Sequence, residues 1–154
     1  DKFAGGAGMD ARDKDRTPMR WGADILNNAG FSNSNPWLPI GDNLDWLNVE
    51  SEQNTDHSFF NLYKKMLTLR SEHAALRYGE YSTWQDTSDD IMTFKRNYND
   101  EIFYILINFT DRQINTNIPS RGRVVASTNT TDEYDIENSL TLNAFEAILV
   151  KAYQ

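Results

Sequence analysis

A β-hairpin is encoded by two apolar runs and the turn between them: Ile91-Met92-Thr93-Phe94-Lys95-Arg96, then Asn97-Tyr98-Asn99-Asp100, then Glu101-Ile102-Phe103-Tyr104-Ile105-Leu106-Ile107-Asn108-Phe109. β-Branched and aromatic residues favour extended backbone, while asparagine and aspartate favour the turn. The last run is apolar on both of its faces, so it should be covered on both sides. We predict that it is a central strand of a sheet.

More short strands surround this hairpin. The same alternation, interrupted by turn residues, predicts strands at 81–85, 113–118, 122–128, 139–143 and 145–151. About seven strands in roughly 75 residues are typical of an antiparallel sandwich and not of βαβ units.

One long helix is predicted before the strands. Apolar residues recur at helical spacing over 57–73, and they place Phe59, Leu62, Met66 and Leu69 on one face. Such a stripe is far more often packing surface than a cofactor site. We therefore interpret this face as one that packs against another part of a protein.

The first fifty residues are rich in glycine, proline and asparagine, and three of the four tryptophans lie there, at Trp21, Trp37 and Trp46. A loop of this length is uncommon within a compact domain, and tryptophans in loops require something to pack against. We predict that this segment is held by other parts of a larger protein.

Composition excludes several functions. The chain has 154 residues, a net charge of −8 and no cysteine, and its sequence pI is near 4.7. The charge disfavours nucleic acid and anionic membranes, and the lack of cysteine excludes disulfides, thiolate metal sites and cysteine catalysis. His57 and His73 are predicted to be surface helix residues and not metal ligands. No apolar run approaches the ~20 residues of a membrane helix, so we expect a soluble chain.

Paired carboxylates offer no specific catalytic motif. The pairs Asp42/Asp45 and Asp89/Asp90 lie in turn-like segments, and the acids between Asp10 and Asp15 alternate with basic residues. We predict no catalytic residue, metal or cofactor in this chain.

Four short strings carry a family resemblance: Arg16-Thr17-Pro18-Met19-Arg20-Trp21, Asn28-Ala29-Gly30-Phe31, Pro36-Trp37-Leu38-Pro39 and Asn48-Val49. In this order and spacing they resemble the C-terminal part of α-glucosidases of glycoside hydrolase family 13, the α-amylase clan, and insect maltases in particular. The segments 63–70 and 76–80 extend the likeness, since they resemble the final barrel helix and its exit into a β domain.

The resemblance implies a two-part architecture that is mainly β with one long helix. Residues 1–77 would be the last loop and helix of a TIM barrel, the (β/α)8 catalytic domain. Residues 78–154 would be an antiparallel Greek-key β-sandwich, known as domain C.

The resemblance also implies an activity. The parent would be a maltase with a secreted or extracellular/luminal location. It would hydrolyse terminal α-1,4-linked glucose from maltose, malto-oligosaccharides or sucrose, without a cofactor. Retaining hydrolysis needs two carboxyl groups about 5 Å apart, which the family carries on barrel strands before the matched region. We therefore predict that the isolated chain is inactive.

Two arginines are the candidate substrate-binding residues. By resemblance, Arg16 would hydrogen-bond hydroxyls of the terminal glucose, and the alternative is a loop arginine paired with Asp13 or Asp15. Arg20 stands where the family usually has glutamine. It would either alter leaving-group preference at the pocket rim or bind a neighbouring acid.

Two sequons fit a secreted parent, at Asn108-Phe109-Thr110 and Asn129-Thr130-Thr131. Asn108 falls at the end of a predicted strand, so Asn129 is the better glycosylation acceptor. The alternative is that both are unmodified polar turn residues.

The predicted partners are the remainder of the catalytic barrel and a small carbohydrate. Self-association through the 57–73 face would be another way to cover it. Two other classes of protein compete with the glucosidase prediction: a non-enzymatic domain like the heavy chain of amino-acid transporters, and a stand-alone sugar-binding or allergen-like module.

Overall fold

A computed structural model describes residues 13, 15–84 and 89–153. The chain divides into two compact units, one up to Asn61 and the other from Leu62. The predicted domain boundary between residues 77 and 78 refers to a larger protein and remains a prediction.

The first unit consists mostly of loops. Its regular elements are a 3₁₀ turn over Ile25–Gly30 and helix α1, Val49–Asn54. Helix α1 was not predicted from the sequence; the side chain of Asn48 accepts the N–H of Ser51 and caps it.

Two consecutive helices, α2 over Phe59–Glu72 and α3 over Ala74–Tyr78, follow α1. Helix α2 lies within the predicted range 57–73. His73 interrupts the helical path with extended backbone (φ −114°, ψ 115°), so it is not the surface helix residue predicted from the sequence. Among the described residues, no helix combines the length and the apolar character needed to cross a membrane.

Eight strands follow among the residues that the structure describes: β1 (Glu80–Ser82), β2 (Ile91–Tyr98), β3 (Glu101–Asn108), β4 (Ile114–Asn117), β5 (Gly122–Ser127), β6 (Tyr134–Ile136), β7 (Ser139–Leu142) and β8 (Ala147–Ala152). Six form one sheet in the order β1-β2-β3-β8-β5-β6, while β4 and β7 form a second. Every pairing is antiparallel. The prediction of a mainly β, antiparallel region is therefore confirmed. Strand β6 was not predicted, because it is a short edge strand with mostly exposed residues.

The hairpin of β2 and β3 forms as predicted, and β3 is central because it pairs with both β2 and β8. Tyr98 pairs with Glu101, so the turn contains only Asn99 and Asp100. Asn99 has φ of 52°, a left-handed conformation that asparagine tolerates well.

The six-stranded sheet carries apolar side chains on both faces. One face holds Tyr104, Leu106, Val124 and Val150 in a core with Leu142 of the two-stranded sheet.

The other face of the sheet packs on the helices. Phe103, Val125 and Leu149 lie there with Ala75 of α3, and Leu69 of α2 packs against them. Both faces of β3 are therefore used, which explains why its sequence is apolar throughout.

The apolar face of α2 is only partly covered. Leu69 packs on the core and Leu62 is half-buried, whereas Phe59 and Met66 are 82% and 41% exposed. Tyr63 and Leu67, beside this face, are 69% and 53% exposed, and no residue of α2 is fully buried. Much of this side of α2 therefore remains open.

Candidate functional site

Arg16, the first predicted substrate-binding residue, lies next to an acid and an aromatic ring. Its guanidinium pairs with the carboxylate of Asp13 and lies 5.5 Å from the centre of the Trp37 ring. The Arg16 side chain remains half exposed, and Trp37 is 77% exposed. The pairing alternative is thus present in the structure. Its contact with substrate stays a prediction.

The backbone after Arg16 is clamped from two sides. The N–H groups of Trp21 and Gly22 donate to the carbonyl of Ala29 at 2.9 and 3.1 Å. On the other side, Val49 and Glu50 donate to the carbonyls of Arg20 and Trp21 at 2.9 and 3.1 Å. These four bonds give the loop a defined path.

The Asn28-Ala29-Gly30 string provides one side of this clamp. All three residues have positive φ, at 48°, 51° and 75°. A side chain at Gly30 would lie 3.2 Å from Cβ of Trp21, so glycine suits both the conformation and the close approach. Asn28 donates to the carbonyls of Ser32 and Ser34, which holds the turn in place.

The Asn48-Val49 string provides the other side. Asn48 is buried. It donates to the carbonyl of Leu44 at 2.6 Å and accepts from Ser51 at 2.8 Å. Val49, which binds the Arg20 carbonyl, is therefore anchored by a capped helix.

Arg20, the second candidate, donates to the backbone carbonyl of Asp42 at 2.6 Å. This contact ties two parts of the first unit together. A role at the rim of a pocket remains a prediction.

Large apolar side chains are exposed throughout the first unit. Trp21, Trp46 and Leu26 are 52%, 56% and 94% exposed, in addition to Trp37. The exposure of these side chains is compatible with the prediction that other parts of a larger protein hold this segment.

Two acidic residues of the strand region have structural partners. Asp90 pairs with Arg112 at 2.6 Å. Glu146 is buried and accepts hydrogen bonds from Ser127 and Asn143. The part of the chain that the structure describes contains no group of three His, Asp or Glu side chains placed to hold a metal ion.

Glu101 and His73 form a cluster that the sequence did not indicate. Nδ1 of His73 lies 2.6 Å from Oε1 of Glu101, and the other carboxylate oxygen accepts the N–H of Ala75 at 3.0 Å. Lys151 lies 3.7 Å away. Partial burial acts to raise the pKa of Glu101, but the Ala75, His73 and Lys151 contacts together lower it below the ordinary 4.5.

Replacing Glu101 by glutamine tests this cluster. Because the folded pKa lies below the unfolded one, Glu101 contributes stability above pH 4.5 that is lost as the pH falls through the folded pKa. At pH 7 the Glu101→Gln variant should unfold more easily by about 1 kcal/mol. Urea titrations should show this difference shrinking towards pH 3, while an exposed control, Glu80→Gln, should show little difference at either pH. A Glu101→Gln deficit that persists at pH 3 contradicts the assignment.

The two sequons differ in the structure. Asn129 is exposed in the turn after β5, and its backbone N–H donates to Ser127. Asn108 is 1% exposed, and its amide donates to the carbonyls of Arg112 and Asn143, both at 2.7 Å. A glycan would replace one of the two amide hydrogens and place a bulky sugar at a buried position, so this acceptor prediction conflicts with the fold.

Comparison with known proteins identifies the relatives of the chain. A family model described as α-amylase, catalytic domain, matches residues 2–79. Oligo-1,6-glucosidase from Halalkalibacterium halodurans is 31% identical over 87% of this chain and 24% of its own length. α-Glucosidase from Candida albicans is 38% identical over 68% of this chain and 18% of its own length.

The chain is also similar to solved structures. The crystal structure of isomaltulose synthase from Klebsiella sp. LX3 superposes with a TM-score of 0.81 at 30% identity, covering 92% of this chain and 26% of that one. The chain therefore spans about a quarter or less of the length of the relatives that it matches.

Proposed function

This chain belongs to the α-amylase family, and we propose that it is the C-terminal portion of a retaining α-glucosidase. The parent enzyme removes terminal α-1,4-linked glucose from maltose, malto-oligosaccharides or sucrose. Its nucleophile and general acid come from barrel strands outside this chain, and the reaction passes through a covalent glucosyl-enzyme. The β region is the Greek-key domain C that follows the barrel.

The half-exposed side chain of Arg16 on a clamped loop carries this proposal. Arg16 offers several donors in a rigid fork, and Asp13 and Trp37 restrict its position. A guanidinium held in this way suits hydroxyl acceptors of a sugar, since little freedom is lost when the bonds form. The four backbone bonds around Trp21 and Gly22 keep the loop in place.

Enzyme assays with three sugars test the activity. The full-length protein should release glucose from maltose and sucrose, and the first product observed by NMR should be the α-anomer, as retention requires. Isomaltose is the discriminating substrate, because some relatives are named oligo-1,6-glucosidases. A preference for isomaltose would show that the enzyme favours α-1,6 linkages over the proposed α-1,4 linkages. Complete inactivity with all three sugars would favour the non-enzymatic domain.

The isolated 154-residue chain should show no turnover of the same sugars. The reaction needs two carboxyl groups about 5 Å apart. The carboxylates of Asp90, Glu101 and Glu146 are each bound to structural partners. Assays at high protein concentration, with the full-length enzyme as positive control, check this. Turnover above the buffer blank would contradict the proposal.

The open face of α2 is the proposed contact for the rest of the barrel. Tyr63, Met66 and Leu67 border a groove of about 250 Å³ whose opposite wall includes Phe94 and Ile105 of the sheet. Covering such side chains contributes about 25 cal/mol per Å² of apolar area. We therefore expect this face to be covered either by the rest of the barrel or by a second copy of the chain.

The molar mass of the isolated chain, measured by light scattering, tests whether this face is covered by a second copy. The isolated chain should exceed its monomer mass of 17.8 kDa, and Leu67→Glu should shift it towards monomer, because a charge in an apolar contact is costly. Glu72→Lys, a charge change at an exposed position of the same helix, is the control. A stable wild-type monomer would contradict the prediction.

We also propose that the parent is secreted and carries a glycan on Asn129. The exposed turn position of Asn129 supports this. Mass spectrometry of protein from its native source should detect a glycan on the peptide that contains Asn129, and an unmodified peptide would contradict the proposal.

A further inference from the structure

A row of three cations crosses the helix-facing side of the six-stranded sheet. The antiparallel registers pair Arg96 of β2 with Phe103 of β3, and Phe103 with Lys151 of β8. Lys151 is in turn paired with Arg123 of β5. Residues directly opposite each other on antiparallel strands project from the same face of a sheet. The three cations therefore share the face on which Phe103 packs against the helices.

Two of these cations have acidic partners. Nζ of Lys151 lies 3.7 Å from Oε1 of Glu101. The guanidinium of Arg123 contacts Glu133 at 3.2 Å and Asp135 at 3.1 Å. Each of these two charges is thus balanced by carboxylates of this chain.

Arg96 differs from the other two cations of the row. It is half-buried, and among the residues that the structure describes it has no hydrogen bond, no ion pair and no aromatic ring against its guanidinium. Its Nε is buried without an acceptor, whereas its two Nη groups are not buried in this way. A charge that is partly removed from water without a counter-charge is unfavourable. A partner from outside would therefore bind the Nη groups.

The side chain of Arg96 lines the apolar groove of about 250 Å³ between α2 and the sheet. Met66 of α2 and Phe94 of β2 are among the apolar residues that border this groove, and Arg70 of α2 is a second cation there. Arg70 donates to the carbonyl of Leu76, but within the described part of the chain no carboxylate balances its charge. The groove thus combines apolar walls with two positive charges.

These properties define the chemistry of an occupant. An apolar side chain fits the walls of the groove, and a carboxylate matches Arg96, because a guanidinium and a carboxylate can form two parallel hydrogen bonds. The chain as a whole has a net charge of −8, so a positive groove is a local exception that favours an acidic partner. A neutral or basic occupant would leave Arg96 without a counter-charge.

We propose that the groove receives a segment of the parent protein, outside this chain, in which an Asp or Glu lies beside an apolar residue. The apolar side chain enters the groove, and the carboxylate pairs with Arg96. This contact rests on the proposed function, in which the chain is the C-terminal portion of a longer enzyme. The chain covers 24% of the length of the oligo-1,6-glucosidase from Halalkalibacterium halodurans, so a parent of that size has ample chain to supply the segment.

Arg96→Met, measured in two proteins, tests the contact. In the full-length protein the variant leaves the carboxylate of the segment without its partner, so the thermal midpoint should fall by about 3 °C or more. In the isolated 154-residue chain the variant removes an unbalanced charge, so the midpoint should stay within about 1 °C or rise. Arg96→Lys keeps the charge without the planar fork, and it should cause a smaller fall in the full-length protein.

Arg121→Met is the matched control, because Arg121 is an exposed arginine before β5. It should leave both midpoints unchanged. A fall for Arg96→Met in both proteins would show that Arg96 acts within this chain, and no fall in either would show that no carboxylate meets it. Either result overturns the proposal. If Arg96→Met turns a dimer of the isolated chain into a monomer and lowers its midpoint, a second copy is the occupant and the proposal is wrong.

A pair of small probes tests the chemistry of the groove. Hexanoate and hexylamine carry the same apolar tail with opposite charges. In the isolated chain, diluted until it is monomeric, hexanoate should shift the methyl NMR signal of Met66 with half-saturation near about 10 mM, and hexylamine should require about tenfold more. The methyl group of Met19, 52% exposed in the other unit, is the control signal. Equal responses to the two probes, or a preference that Arg96→Met leaves intact, would contradict the assignment.

These measurements are independent of glucosidase activity. A full-length protein that releases no glucose but loses stability with Arg96→Met would contradict the proposed function and support the contact. An active enzyme that tolerates Arg96→Met would do the reverse.

Discussion

Replacing Arg16 by alanine in the full-length enzyme should lower kcat/KM for maltose about a hundredfold. Hydrogen bonds from a charged donor contribute about 1.5–3 kcal/mol each, and the loss of one strong bond or two weaker ones gives this factor. The clamped loop should persist in the variant, because its four backbone bonds involve Trp21, Gly22, Val49 and Glu50 and not the Arg16 side chain. Steady-state kinetics and a thermal midpoint measure the two effects separately.

Two further variants distinguish sugar binding from a structural role. Arg16→Lys retains the charge but not the planar fork, so it should recover only part of the activity. Asp13→Asn removes the charged partner of Arg16 but keeps the guanidinium, so it should lose less activity than Arg16→Ala. If Asp13→Asn loses as much as Arg16→Ala and both lower the thermal midpoint, the pair is structural and the assignment to sugar fails.

A strand could be predicted where its own residues show the hydrophobic pattern of a strand. The run from Ile102 to Phe109 is apolar on both faces, so its central position follows from local sequence. Strand β6 is short, mostly exposed and paired only with β5, so nothing in its own sequence distinguishes it from a loop. Two of the short strings at the start of the chain also carry local signals, because Asn28 and Asn48 hydrogen-bond residues that are close to them in sequence.

Contacts between distant residues were not predictable. His73 and Glu101 are 28 residues apart, and Asn108 and Asn143 are 35 apart. Each of these polar residues looks unremarkable in its own segment. His73 contacts Glu101 because the helices pack on the sheet, and Asn108 contacts Asn143 because the end of β3 lies beside the turn before β8. This is why His73 was predicted to lie on a helix surface and Asn108 was named as a second glycan acceptor.

Glu146 is the clearest example of a residue whose role comes from such contacts. It is 2% exposed, in the turn that leads into β8. Its Oε1 accepts from Ser127 at 2.6 Å, and its Oε2 accepts from the backbone and side-chain amides of Asn143 at 2.7 and 2.9 Å. Asn143 in turn accepts from Asn108. The carboxylate thus joins the end of β5, the end of β3 and the turn before β8.

Replacing Glu146 by alanine should lower the free energy of unfolding by about 3 kcal/mol. The substitution leaves Ser127 and Asn143 without their acceptor, and each buried donor left unpaired costs about 1–3 kcal/mol. In a chain of this size the thermal midpoint should fall by roughly 10 °C. The exposed Glu137→Ala change should have little effect, since surface substitutions usually stay within about 0.5 kcal/mol.

The isosteric Glu146→Gln variant shows whether the charge itself is needed. A glutamine oxygen can replace one acceptor, but its NH₂ group faces donors on the other side, so an intermediate loss of stability is expected. The charge of Glu146 can also be followed through the pKa of Tyr134. Burial first, and then the Glu146 carboxylate, raise the pKa of Tyr134, so Glu146→Gln should lower that pKa in an NMR titration of the folded protein. Wild-type stability together with an unchanged Tyr134 pKa in Glu146→Gln would show that the network does not depend on a carboxylate.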